Sequence, residues 1–194
     1  MNKLDILIVG VGGQGTLLAS VLLGNLSMQA GYDVKLSEVH GMAQRGGSVV
    51  THVRFTQGGN IAPIIDQGEA DCIIAFEKLE AYRWVSYLKK GGTMFVNTQV
   101  IKPMPVVLGT AEYPADIEGF LKNNGVNALF IDAESIANNL GNSRVVNTIL
   151  LGAAAREMPF AKEDWFKQIE ETIKKQFVDI NKKAFLQGFE YKFN

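Results

Sequence analysis

A short apolar run, residues 6–9 (ILIV), ends in Gly10-Val11-Gly12-Gly13-Gln14-Gly15, and an apolar-periodic stretch follows. The run is β-branched-rich and bounded by glycine, which reads as a buried parallel strand. Residues 14–30 carry Leu17, Leu18, Val21, Leu22 and Leu26, the pattern of a helix with a broad buried face. Gly31 suits its C-terminal end, and residues 34–38 read as a second strand. Strand, glycine turn, helix and strand make a βαβ unit with a right-handed crossover. The glycines spell G-x-G-x-x-G in its proper setting, after a strand and opening a helix. One glycine permits the tight turn, another removes bulk beside a ligand, and a third lets helix and strand pack closely. The free N–H groups of the helix start then face an anion. Close packing alone is a second use of the same glycines, so the turn does not fix a ligand.

The rest of the chain repeats the alternation. Residues 48–55 alternate, with Val49, Thr51, Val53 and Phe55 on one face. Residues 57–60 (QGGN) form a turn, and 70–76 (ADCIIAF) a buried strand. Residues 77–90 read as a helix closed by Gly91 and Gly92, 93–97 as a strand, and 129–132 as a short strand. Residues 143–155 read as an apolar helix. Apolar residues from Trp165 to Ala184 keep helical spacing, which predicts one long amphipathic helix over about 162–187. The expected architecture is a single α/β domain over 1–194, doubly wound, with a mostly parallel sheet and helices on both faces.

Composition narrows the function. Lys plus Arg number 19 and Asp plus Glu 20, a net charge of -1, so no global field points to nucleic acid or an anionic membrane. No stretch suits a transmembrane helix or a secretion signal, and the chain reads as a soluble cytoplasmic protein. One cysteine excludes an internal disulfide and any four-cysteine zinc or iron–sulfur site held by this chain alone. Cys72, inside an apolar strand, reads as a small buried hydrophobe.

Residues 40–48 (HGMAQRGGS) lie at the C-terminal end of the second strand, where open α/β sheets bind ligands. Their glycines can bring backbone N–H groups near an anion. Arg45 can grip phosphate or carboxylate in bidentate fashion, or pair with Glu38. His40 can move a proton near neutral pH or anchor the loop. Glu38 stands where a ribose-binding acid would, so an independent NAD- or FAD-binding protein is one reading. His52 reads as structural. The candidate ligand-binding residues are Gly10, Gly12, Gly13, Gln14, Gly15, Thr16, Glu38, Gln44, Arg45, Gly46 and Gly47. His40 is a candidate catalytic residue, and no metal ligand is assigned.

The pairing of GVGGQG (10–15) with SEVHGMAQRGGSVVTHVRF (37–55) resembles the gamma-type domain of the 2-oxoacid:ferredoxin oxidoreductases. Within that family, HGMAQRGGSV (40–49) is similar to the beta subunits of the indolepyruvate type. The gamma subunits of the pyruvate and 2-oxoglutarate enzymes usually carry Gly-Pro-Glu before the Arg-Gly. The resemblance continues through ADCIIAFEKLEA (70–81), a strand followed by an acid and a helix. It also takes in Asn147, Leu151-Gly152 and the closing GFE (188–190), and so spans the whole chain.

The resemblance implies a Rossmann-like gamma domain that is a catalytically incomplete subunit. The complete enzyme would oxidatively decarboxylate aryl pyruvates to aryl-acetyl-CoA and pass electrons to ferredoxin. Thiamine diphosphate, Mg2+ and Fe–S clusters would belong to a larger alpha subunit, in an α2β2 assembly. This chain would contribute part of the coenzyme A site and a docking surface, with Met42, Met104 and Trp84 as candidate partner-facing residues. A gamma subunit for another 2-oxoacid and a ligand-free scaffold are the other readings.

Overall fold

In a computed structural model that describes residues 2–41 and 46–193, the apolar run and its neighbours become β1 (Lys3–Val11) at the centre of the sheet. Its alternate residues face two different cores. Ile6 and Ile8 enter one, and Leu7 and Val9 enter the other, all fully buried. The chain continues through α1 (Thr16–Gln29), β2 (Asp33–His40), β3 (Ser48–Thr56), β4 (Ala70–Ala75), α2 (Lys78–Trp84) and β5 (Leu88–Asn97). It ends with α3 (Met104–Val107), α4 (Ile117–Asn123), β6 (Asn127–Ile131), α5 (Ala133–Asn139), α6 (Val146–Ala154), α7 (Lys162–Thr172) and α8 (Val178–Phe189).

Among the described residues these strands form one sheet in the order β2-β3-β1-β4-β5-β6. Strands β1, β4, β5 and β6 run parallel to one another. Helices α1 and α5 to α8 cover one face, while α2, α4 and residues around Ile65 cover the other. The doubly wound, mostly parallel expectation holds.

The first βαβ unit differs from its sequence reading. β3 inserts between β1 and β2 and runs antiparallel to both. β2 is therefore parallel to β1 but not its neighbour. The insertion is stable because β3 is buried on both sides. Val53 and Phe55 join the α1 core. On the other side Arg54 is 5% exposed and grips Asp5 of β1 in a bidentate pair, Nε to Oδ1 and Nη2 to Oδ2, both 2.9 Å. Its Nη1 also donates to the Ala62 and Ile64 carbonyls. His52 Nδ1 accepts the Ile65 N–H at 3.1 Å. These contacts hold residues 57–69 over the sheet.

Burial, and secondarily the Arg54 charge, pushes the His52 pKa below its usual value. Folding therefore favours the neutral ring, while the unfolded ring titrates near 6.5. The unfolded chain binds more protons as the pH falls. The contribution is present above about pH 6.5 and is lost on acidification through the folded pKa. Urea midpoints between pH 7.5 and 5.5 should fall more for the native chain than for His52→Gln, which keeps an acceptor but does not titrate. Equal falls would reject this account.

Two helix boundaries also differ. The helix read over 77–90 stops at Trp84, and β5 begins at Leu88, before the two glycines. Those glycines mark a strand irregularity, not a helix cap. The β4–β5 register shifts between Ala70 and Cys72, and a Cβ on Gly92 would lie 2.8 Å from the Asp71 carbonyl oxygen. The single helix expected over 162–187 is two helices. Ile173 is extended at φ -95 and ψ 140 and ends α7, and a 3-10 turn at Lys175–Phe177 leads into α8. The bend lets Trp165 and Ile169 of α7 and Ala184 and Phe185 of α8 all reach one core. A straight 26-residue helix would extend about 39 Å and could not fold back onto it. No helix among the described residues is long and apolar enough to cross a membrane.

Candidate functional site

The chain leaves β1 toward α1 and β2 on one side of the sheet, whereas β4 leads to β5 on the other. The crevice between β1 and β4 is thus the switch point of the doubly wound sheet, the usual ligand position of such folds. The glycine turn fills its mouth. Gly13 and Gly15 adopt φ +106 and +84, conformations that favour glycine. Gly15 caps α1 without any side-chain hydrogen bond, and no acid lies in the first helical turn. The N–H groups and partial positive charge there are available to an anion.

Two of the candidate residues build the turn itself. Gln14 Oε1 accepts the Val11 N–H at 2.7 Å, and its Nε2 donates to the Phe76 carbonyl at 3.0 Å and to Gln99 Oε1 at 2.6 Å. Its amide stitches β1 to the end of β4 across the switch point. A Cβ on Gly10 would lie 2.9 Å from Gln14 Oε1 and 3.0 Å from Phe76 Cβ, so Gly10 makes room for that amide.

Two open cavities flank the turn and share Gly13 and Gly15. The first, about 460 Å³, is lined by Gly12, Gly13, Gly15, Thr16, Leu17, Glu38, His40 and Val49. Glu38 and His40 come from the end of β2, and Thr51 Oγ1 reaches Glu38 Oε2 at 3.4 Å. The second, about 490 Å³, is lined by Gln14, Gln99, Glu134, Ser143, Arg144, Val146 and Asn147 in addition to the shared glycines. Asn147, 5% exposed at the start of α6, directs Nδ2 toward the Gly15 carbonyl at 3.4 Å. A Cβ on Gly15 would come within 2.7 Å of that nitrogen. Arg144 is exposed on the rim, with no carboxylate partner among the described residues.

Sequence reasoning brought Gly12, Gly13, Gly15, Thr16, Glu38 and His40 to one place. Gly46 and Gly47 lie beside them. Gly12 N–H donates to the Gly47 carbonyl at 2.8 Å, and Gly46 N–H to the Gly12 carbonyl at 3.3 Å. Gln44, Arg45 and Met42 lie outside the described residues. Arg144, Gln99 and Glu134 carried no sequence signal, because they reach the turn only through the fold.

The insertion of β3 bears on the dinucleotide reading. In the fingerprint fold the ribose-binding acid ends the strand beside β1. Here Glu38 sits one strand further out, about 4.8 Å more. Gln14 also occupies the crevice that a nicotinamide dinucleotide would cross. Glu38 nevertheless lines the same cavity as Gly12, Gly13 and Gly15.

A second polar cluster lies behind the crevice. Glu77 follows β4, caps α2 and is fully buried. Its carboxylate accepts from the Glu80 and Ile101 N–H groups at 3.0 and 2.9 Å and from the Tyr113 hydroxyl at 2.7 Å. Burial first, and the Glu77 hydrogen bond second, push the Tyr113 hydroxyl above its usual pKa. Cys72 is 2% exposed, and burial pushes its thiol far up, which removes thiolate chemistry.

A doubly wound sheet with a glycine turn at its switch point defines a Rossmann-like α/β protein. The chain belongs to the pyruvate ferredoxin/flavodoxin oxidoreductase family, whose model matches residues 5–191. It is similar to the indolepyruvate oxidoreductase subunits IorB of Pyrococcus horikoshii, 41% identical over 195 residues, and Thermococcus kodakarensis, 39% identical over 193. Each match covers 97% of this chain and 95% of the relative. Its fold is that of the pyruvate oxidoreductase subunit PORC of Thermotoga maritima, with TM-score 0.75 and 24% identity over 100% of this chain and 98% of that one.

Proposed function

We propose that this chain is the smaller subunit of an indolepyruvate-type 2-oxoacid:ferredoxin oxidoreductase, binding part of coenzyme A and docking a larger subunit. The observation that carries this reading is the near-full-length similarity to the IorB subunits. One buried thiol does not fit an iron–sulfur cluster, and among the described residues no group of three His, Cys, Asp or Glu side chains is placed to hold a metal ion. Thiamine diphosphate, Mg2+ and the clusters are assigned to the larger subunit. That cofactor set would supply the decarboxylation chemistry and the electron path to ferredoxin. This chain's residues bind and orient, and the assembly is α2β2.

The cavities suggest how coenzyme A lies. A phosphate meets the uncapped start of α1 at Gly13 to Thr16. Among the described residues Glu38 is the one charged side chain lining the first cavity and is unfavourable for further negative charge, whereas in the second Arg144 is set against Glu134, whose carboxylate already accepts from Gln99 Nε2. The phosphates therefore cross the Gly13–Gly15 rim toward Arg144.

The docking surface follows β5. Residues 98–116 leave the sheet next to the second cavity, and Met104, Val107 and Leu108 are 64%, 61% and 69% exposed. These exposed apolar side chains on α3 and the residue after it suit contact with a partner. Trp84 does not belong to this surface, because its ring lies tilted against Tyr87 and packs against the core under α2.

The test is co-expression with a candidate larger subunit and assay of CoA-dependent viologen reduction by indolepyruvate. Full activity from the larger subunit alone would overturn the proposal. In the active complex, Arg144→Ala should raise KM for coenzyme A about tenfold, the loss of one charge-assisted contact. The kcat should stay within about twofold, since the contact persists from ground state to transition state. An unchanged KM would remove Arg144 from the coenzyme A site.

A further inference from the structure

We propose that Glu80, a buried acid that lines neither cavity, is a positioning residue that fixes the Gly12 rim of the first cavity. Glu80 stands in the first turn of α2 and is 1% exposed. Capping of that helix already falls to Glu77. The Glu80 side chain instead accepts from the Ser48 hydroxyl at 2.5 Å through Oε2 and from the Arg83 guanidinium at 2.6 Å through Oε1. An ionised group in the interior is costly unless it is paired in this way, and an apolar side chain would pack there more simply.

What the acid holds explains its presence. Ser48 is the last residue of the β1–β3 ladder, opposite Val11. Beyond that rung Gly47 and Gly46 exchange two backbone hydrogen bonds with Gly12. Gly12 is the first residue of the turn to line the cavity. The carboxylate of α2 thus fastens Ser48, Ser48 fixes Gly46 and Gly47, and these fix Gly12. A hydrogen bond to a charged acceptor is shorter and stronger than a neutral one, which suits an anchor. The functional importance of this rim rests on the reading that the cavity takes coenzyme A.

Residue-resolved hydrogen exchange on the full chain tests the positioning directly. Ser48→Ala should speed exchange of the Gly12 and Gly46 amides roughly tenfold, the loss of one charge-assisted hydrogen bond. Ser48→Thr, which keeps the hydroxyl, should restore protection. Tyr113→Phe disturbs Glu77 on the same helix without touching Ser48, and should leave both amides as they were. Unchanged exchange in Ser48→Ala would overturn the proposal, as would acceleration spread evenly over the chain. In the assembled complex Ser48→Ala should raise KM for coenzyme A roughly three- to tenfold with kcat retained. Locally faster exchange with an unchanged KM would uphold the positioning role and overturn the coenzyme A assignment.

Discussion

Asp5→Ala is expected to lower the melting temperature by roughly 10 °C, the consequence of leaving Arg54 buried without its main partner. Both side chains lie inside the protein, Asp5 1% and Arg54 5% exposed. Both carboxylate oxygens meet the guanidinium at 2.9 Å. Removing one member of such a pair costs about 3–5 kcal/mol, because the other charge stays desolvated. Lys3 Nζ, 2.8 Å from Asp5 Oδ2, is nearly half-exposed and can return to water. Glu69 Oε2, 3.5 Å from Arg54 Nη2, offsets part of the loss but is itself about half-exposed. Arg54 also carries residues 57–69 through the Ala62 and Ile64 carbonyls. Protease sensitivity in that loop should therefore rise together with the fall in stability. Thermal and urea unfolding measure the first effect and limited proteolysis the second. The double change Asp5→Leu, Arg54→Leu should cost less than Asp5→Ala alone, since it leaves no orphan charge. A double variant less stable than the single one would show that the pair itself, not the orphaned charge, dominates.

That pair also marks where the sequence stopped being legible. The strand at 6–9, the glycine turn and the following helix were readable, because the periodicity and the turn chemistry are local. The place of β3 was not. Its alternation of Val49, Thr51, Val53 and Phe55 suits any half-buried strand, and nothing local says that Arg54 and His52 will be covered by residues 57–69. The mistaken helix boundary at 77–90 has a similar cause. Gly91 and Gly92 are ordinary helix-ending glycines until β4 is placed beside them. At 162–187 the apolar spacing runs on through Ile173, so periodicity alone could not show an extended residue that the core demands.

The site divides in the same way. Gly12, Gly13, Gly15 and Thr16 were visible because a turn needs them in sequence. Glu38 and His40 were visible because strand ends gather at one edge. Arg144, in the 3-10 turn before α6, and Asn147, at the start of α6, approach the turn from about 130 residues away, and packing sets where they stand against it. Gln14 shows the opposite case. A polar side chain inside a ligand-binding fingerprint is tied up internally, joining β1 to Phe76 and Gln99.

Since α6 carries Asn147 to the turn, the contact that seats α6 should govern both stability and the site. Gly188→Ala should cost roughly 3 kcal/mol or more, the upper end of overpacking penalties. Gly188 is buried where α8 packs on α6, and a Cβ there would lie 1.9 Å from the Ile149 carbonyl oxygen and 2.9 Å from the Ala153 nitrogen. The reciprocal glycine is equally tight, since a Cβ on Gly152 would lie 2.1 Å from the Phe185 carbonyl oxygen. These obstacles are backbone atoms and cannot rotate away, so the two helices must separate. Alanine gains about 1 kcal/mol in helix propensity, too little to offset the clash. At two to four degrees per kcal/mol the melting temperature should fall by about 6–12 °C. Gly24→Ala on α1 is the control. Its Cβ would meet Leu36 and Val34 at ordinary distances of 3.7 and 3.9 Å, so the propensity gain should stand and stability should hold or rise. On the proposal that the second cavity takes coenzyme A, Gly188→Ala should also raise KM for coenzyme A in the assembled enzyme, because α6 presents Asn147 and Val146 to that cavity. A destabilised variant with an unchanged KM would mean either that the α6 terminus keeps its place independently of its packing on α8 or that the second cavity does not take coenzyme A.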